Sequence, residues 1–154
     1  MTDVVKEYKG DPITLDFSGG TQDIHSAAID EWIAASDVQT NPSGYPYADF
    51  EVALGSAVFT GADSAFELYL IPRIDGTNYA DYTGEGTATD EQENNQLFIG
   101  SVTTSGATAA QRLVLRGVEV PAGPFKIGAR NKTGVALAAS LNTVKLRYWA
   151  YKSA

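Results

Sequence analysis

Few residues in this 154-residue chain have the types and spacings that catalysis or metal binding requires. There is a single histidine, His25. Without cysteines or a neighbouring carboxylate cluster it makes a poor metal site, and one histidine among scattered serines does not define a Ser-His-Asp triad. It reads as a surface or capping residue. The carboxylates Asp30/Glu31 and Glu91/Glu93 are close in sequence, which says nothing of the geometry across a scissile bond that glycoside hydrolysis needs. They read as solvated side chains. Asp75, Asn78 and Asp81 share a glycine-flanked stretch, and hard oxygens so close together could hold calcium. The D-x-[DN]-x-[DN]-G frame with its distal glutamate is missing, however. Gly84-Glu85-Gly86 joins no strand to a helix and so has no dinucleotide-binding context. Asn131-Lys132-Thr133 fits a glycosylation sequon but reads more simply as a turn. No catalytic residue, metal ligand or cofactor is expected.

The suggestive group is aromatic. Tyr45, Tyr47, Tyr79 and Tyr82 lie in or beside loops, and Trp32 belongs to the same part of the chain. Such side chains anchor protein interfaces and line sugar-binding grooves, because one end is apolar and the other hydrogen-bonds. They equally well cap the open ends of a sandwich. Together with Asp75, Asn78 and Asp81 they form the candidate interface read from the sequence.

Composition sets the frame for these residues. The chain is long enough for one domain with a real core. It has 15 glycines, 8 tyrosines, 44% apolar and 19% charged residues, a mixture typical of turn-rich all-β proteins. Zero cysteines exclude a disulfide framework and thiolate metal sites. No apolar run approaches the roughly 20 residues of a membrane-spanning helix, and MTDVVKEYKGD has no basic segment leading into an apolar one, so no secretory leader and no membrane partner are expected. The net charge of −8 argues against a polyphosphate partner, hence against nucleic acid. Charge is also unevenly placed. Arg112, Arg116, Lys126, Arg130, Lys132, Lys145, Arg147 and Lys152 fall in the last third, and Asp75–Glu93 is rich in acid. A basic surface on the C-terminal strands is one reading and an ordinary solvated face the simpler one. The asymmetry would also let the acidic stretch of one copy meet the basic face of another.

The elements that must position these residues are strands. Residues 1–10 read as a polar N-terminal arm and 11–154 as a single domain. Ile13, Leu15 and Phe17 alternate with polar residues and are followed by Ser18-Gly19-Gly20. In 21–44 a short helix carrying Ile29, Trp32 and Ile33 competes with a strand over Trp32–Val38, and the strand is favoured. The apolar runs Phe50–Phe59 and Phe66–Ile74 flank Thr60-Gly61-Ala62-Asp63-Ser64, which predicts a β-hairpin at the centre of the fold. Their alternation places Phe50, Val52, Leu54, Phe66, Leu68 and Leu70 in the core. Asp75–Asn95 reads as a long acidic surface loop. Leu97–Val102 is a further strand. Arg112–Val120, with a bulge at Gly117, and Phe125–Arg130 form an expected second hairpin around Pro121-Ala122-Gly123-Pro124. The last strand is Thr143–Tyr151. About eight strands with frequent turns and no long helix point to an all-β, two-sheet antiparallel sandwich, jelly-roll-like or of another Greek-key kind.

Four segments carry a resemblance: Tyr47–Val52, the run LYLIPRIDGTNY at 68–79, Leu113–Val118 with Pro121–Lys126, and Asn131–Ala138. Their order resembles a group of small proteins encoded among the structural genes of tailed bacteriophages, over roughly residues 32–150. The resemblance rests on strand and turn patterns and brings no catalytic residues. It implies a virion protein, assembled in the host cytoplasm, that decorates or cements the capsid as a β-sandwich. The implied partners are the major capsid protein and further copies of the chain, as a homotrimer, met through the arm and loop ends. An alternative is a carbohydrate- or receptor-binding module of a tail fibre, with a glycan on Trp32, Tyr79 and Tyr82.

Overall fold

A computed structural model describes residues 3–17, 23–42, 44–59, 64–73, 75, 77–79 and 98–153. Ten strands follow one another with no helix among the described residues. They are β1 (Val4–Tyr8), β2 (Ile13–Thr14), β3 (Trp32–Ile33), β4 (Gln39–Thr40) and β5 (Tyr47–Leu54), then β6 (Ala65–Pro72), β7 (Phe98–Thr103), β8 (Gln111–Glu119), β9 (Pro124–Lys132) and β10 (Thr143–Ser153).

Every pairing is antiparallel, and the strands divide into two sheets. The front sheet has the order β1-β10-β5-β8, with β2 beside β10, and the back sheet has the order β3-β9-β6-β7, with β4 beside β9. The pairs β1/β2 and β3/β4 each share one lane, so each sheet is four lanes wide. Following the chain, the lanes alternate front, back, front, back, then back, front, back, front. This is the connectivity of a jelly roll.

The expected hairpins are not present. β5 lies in the front sheet between β10 and β8, and β6 lies in the back sheet between β9 and β7. β8 and β9 are likewise in different sheets. Alternation tells which face of a strand is buried; it does not tell which edge is paired. Two amphipathic strands joined by a loop can pack face to face across the roughly 10 Å of a sandwich instead of hydrogen-bonding to each other. The central pairs are instead remote in sequence: Phe50 faces Leu146, and Leu68 faces Ala129.

The core faces are those the alternation marks. Phe50, Val52 and Leu54 of β5 meet Phe66 and Leu68 of β6, all at most 1% exposed, while Leu70 is half-buried against the same cluster. Tyr69 and Ile71, on the other face of β6, are buried as well, after a register shift at Leu68/Tyr69. The bulge expected at Gly117 is present: the β5–β8 register shifts between Ala48 and Phe50, and Gly117 takes a φ of 71°. The early strands are shorter than their patterns imply. Leu15 and Phe17 enter the core, but Ile13 is 41% exposed on the two-residue β2. The expected strand over Trp32–Val38 is reduced to β3, with β4 beyond it. The turns at 18–20 and 60–63, together with Ile74 and Leu97, lie outside the described residues.

Two buried asparagines fasten the irregular 23–31 segment to the sheets. The Asn131 side chain, 0% exposed, donates through Nδ2 to the carbonyls of Ala27, Ala28 and Val135, and its Oδ1 accepts from Thr133 N and Oγ1. Asn142 Nδ2 donates to Ile24 and Ala138 carbonyls, and Gly55 N donates to Asn142 Oδ1. A sequon asparagine so enclosed offers no amide for a glycan. Replacing Asn131 by alanine strips the donor from three carbonyls, and the expected cost is about 2–4 kcal/mol. Urea unfolding checks this: the midpoint should fall with the slope unchanged, and a cost under about 0.5 kcal/mol would contradict the role assigned.

Candidate functional site on the front sheet

A cluster of charged and aromatic side chains stands on the outer face of the front sheet. Strand alternation turns Tyr47, Asp49 and Glu51 of β5 outward, beside Lys145, Arg147, Trp149 and Tyr151 of β10 and Lys6 and Tyr8 of β1. Arg112, Val114 and Arg116 of β8 complete the face. They enclose an open groove of about 460 Å³ lined by Tyr8, Glu51, Arg112, Arg116, Lys145 and Arg147, with Asp49 at its floor.

Asp49 organises this face. Its Oδ2 accepts from Lys6 Nζ at 2.7 Å and Tyr8 Oη at 2.8 Å, and its Oδ1 from Gly117 N and Trp149 Nε1, each at 2.9 Å. Gly117 reaches it because the bulge turns that N–H out of the ladder. Burial alone raises the Asp49 carboxyl, but the bonds from Lys6, Gly117 and Tyr8 outweigh it and hold the group below the usual carboxylate value. Burial pulls Lys6 down, and its interactions with Asp49 and Tyr8 more than reverse this, leaving the ammonium above its ordinary value. The Lys6 ammonium also sits 4.1 Å from the centroid of Trp149 and 4.7 Å from that of Tyr8. Trp149 in turn stacks on Tyr47 at 4.6 Å, with Tyr151 edge-on at 5.0 Å.

Charge on the face does not balance. Lys6, Arg112, Arg116, Lys145 and Arg147 stand against Asp49, Glu51 and, at the far end of β8 opposite Tyr47, Glu119, an excess of two positive charges on a chain of net charge −8. Asp49 is taken by Lys6; Glu51 is shared loosely by Arg112 at 3.6 Å and Lys145 at 4.0 Å. Arg147 spends Nε on the Gly10 carbonyl and lies 4.5 Å from the Tyr8 ring centroid. Among the described residues neither Arg116 nor Arg147 has a carboxylate partner. This arrangement can recognise anionic side chains.

The interface residues read from the sequence are scattered. Trp32 lies on the outer face of the back sheet, 4% exposed, against Tyr69 at 4.7 Å and with the Arg130 guanidinium 4.9 Å from its ring. Tyr45 has its ring in the core and donates through its hydroxyl to Glu7 Oε1, which also accepts from Lys152 Nζ. This brace holds the end of β1, and the bonds from Lys152 and Tyr45 keep the Glu7 carboxyl low. Tyr47 alone of the set joins the front face. Asp75, Asn78 and Tyr79 do come together. Asp75 Oδ1 accepts from Thr77 N and Asn78 N, and Oδ2 from Asn78 Nδ2, bonds from Asn78 and Thr77 that lower its carboxyl. Tyr79 bridges to Arg73 and carries Lys126 Nζ 4.9 Å from its ring. Both Asp75 oxygens are engaged by its own turn, and no cluster of three or more metal-type ligands forms among the described residues. Asp81, Tyr82, Glu91, Glu93, Gly84–Gly86 and the rest of the acidic loop lie outside the described residues.

Sequence reasoning passed over Asp49, Lys6, Tyr8 and Trp149 as a group. The available signal was the outward half of each alternation, a run of charged and aromatic residues on three separate strands. Of the two readings of the C-terminal cations, the less favoured one, a basic surface, is met in part: Arg112, Arg116, Lys145 and Arg147 share the front face, whereas Lys126 and Arg130 are on the back sheet.

Because the Asp49 carboxyl is held low, its contribution is complete above its unfolded value and is lost as pH falls through the folded one. The Lys6 contribution, raised, is lost only as pH rises through its folded value. The clamp is therefore intact between about pH 4 and pH 10. Below that window Trp149 emission should change with a single carboxylate transition that Asp49→Ala abolishes. That variant should also cost about 2–3 kcal/mol, since it strands Lys6 and the indole N–H. Emission that titrates identically in wild type and variant would contradict the assignment.

No protein-family model matches the chain, and no curated protein matches it. What the chain does has to be argued from its own residues and their placement.

Proposed function

We propose that the chain is a non-enzymatic structural protein of a tailed-bacteriophage virion, one that decorates or cements the capsid in many copies. The observation that carries this reading is the front face: a preformed, ion-paired and aromatic docking surface on a jelly-roll scaffold. A catalytic centre would need a reactive group activated by a neighbour, and the face offers cations and rings held in place by Asp49. The four segments that resemble phage structural proteins supply the virion context. Cement proteins hold by several modest contacts acting together, to the shell and between copies, so no single contact has to be tight. The partners are then the major capsid protein and other copies of the chain, with a homotrimer as the proposed assembly.

The tail-fibre alternative loses Trp32 from its platform, since at 4% exposure it presents no face for a sugar ring. On the front face a glycan could use Tyr47 and the 61% exposed Tyr151. A particle reconstruction separates the two. The decoration reading expects density for this fold repeated over the shell and no affinity of the purified chain for host polysaccharide. Density confined to the tail in a few copies, with polysaccharide binding lost in Tyr151→Ala, would sink it.

A further inference from the structure

The front groove has an excess of positive charge and two guanidinium groups without a carboxylate partner among the described residues, while the same chain carries a stretch of opposite character. Residues 75–95 contain Asp75, Asp81, Glu85, Asp90, Glu91 and Glu93 and no lysine or arginine. We infer that the front groove of one copy receives the acidic 75–95 stretch of a neighbouring copy. The inference rests on the front face being a docking face and is independent of which virus particle, if any, carries it.

Three observations favour this occupant. First, the cations are not merely protection of a free sheet edge. β8 is an edge strand, where charged residues do discourage stray pairing, but Lys145 and Arg147 stand on β10, inside the sheet between β1 and β5. Second, the acidic stretch is rooted on the other side of the sandwich. It joins Pro72 of β6 to Phe98 of β7, both in the back sheet, so it is no part of the sheet that carries the groove. Third, the overall charge of −8 does not forbid the contact. Exposed charges farther away than about 8 Å are largely screened at physiological salt, so the local excess decides.

The contact is heterologous: groove on one copy, acidic stretch on the next. Such contacts generate closed rings when the rotation closes and open chains when it does not. The homotrimer of the proposed function would be one such closed ring. Arginine is suited to the role, since its planar fork takes a carboxylate with two parallel hydrogen bonds.

The test is sedimentation velocity of the full chain over a concentration series at about 0.05 M and about 0.5 M NaCl, where screening differs strongly. Association at low salt that weakens at high salt is expected. Arg112→Glu with Arg116→Glu should weaken it at least about tenfold, and so should Glu91→Lys with Glu93→Lys. The chain carrying all four reversals should recover it. Arg112 and Arg116 are exposed on β8, so the fold should survive, with Arg112→Gln and Arg116→Gln as the gentler pair. A chain monomeric at every concentration in low salt overturns the inference. So does association that either reversed pair leaves intact, or that the four-fold variant fails to regain. A particle reconstruction showing the groove seated on the capsid protein would overturn it too, while leaving the proposed function standing.

Discussion

The front face depends on one carboxylate. Asp49 stands on an interior strand with its side chain only 12% exposed, and an anion so placed is tolerated only if donors replace the water it lost. Four do, and they come from three other strands: Lys6 and Tyr8 from β1, Gly117 from β8 and Trp149 from β10. Each donor is thereby fixed in turn. Lys6 is held over Trp149, Trp149 against Tyr47, and Tyr8 beneath Arg147. The surrounding ion pairs, Arg112 and Lys145 with Glu51, are looser and more exposed, and pairs of that kind contribute at most about 1 kcal/mol. The ordering of the face therefore comes from Asp49 more than from its rim.

The jelly-roll connectivity explains how residues 6, 49, 117 and 149 meet at all. Successive strands change sheet at almost every step, so the neighbours of β5 are β10 and β8 and never β6. The same wrapping lays the first strand against the last, pairing Lys6 with Tyr151 and Tyr8 with Trp149. β1 has β10 as its strand partner and little apolar burial, Val4 and Val5 being 64% and 46% exposed. Its place is set by the Asp49 bonds on one side and by the Glu7–Lys152–Tyr45 brace on the other. A segment that begins as a polar arm in sequence becomes an edge strand because Asp49 gives its lysine and tyrosine something to hold, and Lys152 and Tyr45 do the same for its glutamate.

Much of the fold was legible in the sequence, and the reasons for the rest are physical. The period-two pattern of Phe50, Val52, Leu54 and of Val144, Leu146, Tyr148 placed the inner faces, because burial is a property of one strand and its pleat. Strand pairing is not: Phe50 beside Leu146 is a relation between segments well over half the chain apart, and a loop of turn-forming residues suits a hairpin and an inter-sheet arch equally well. The short β2, β3 and β4 carry too few residues for a pattern, and two asparagines that pin 23–31 from below leave no periodic trace. The candidate site was less legible still. Loop tyrosines drew attention because of their position, yet Tyr45 went to the core; Asp49 looked like one more outward acid on a strand and became the hub. Its importance lies in partners that only the assembled sheet supplies.

The account stands on Asp49 holding β1 and the front face in register. Site-resolved hydrogen exchange on the wild type and on Asp49→Asn at neutral pH measures this directly. The expected result is loss of protection confined to the amides of β1 and the adjoining end of β10, with the central pairs β5–β10 and β6–β9 unchanged around Phe50 and Leu68. Protection of β1 that is the same in both proteins would show that Asp49 is not the constraint that orders the face.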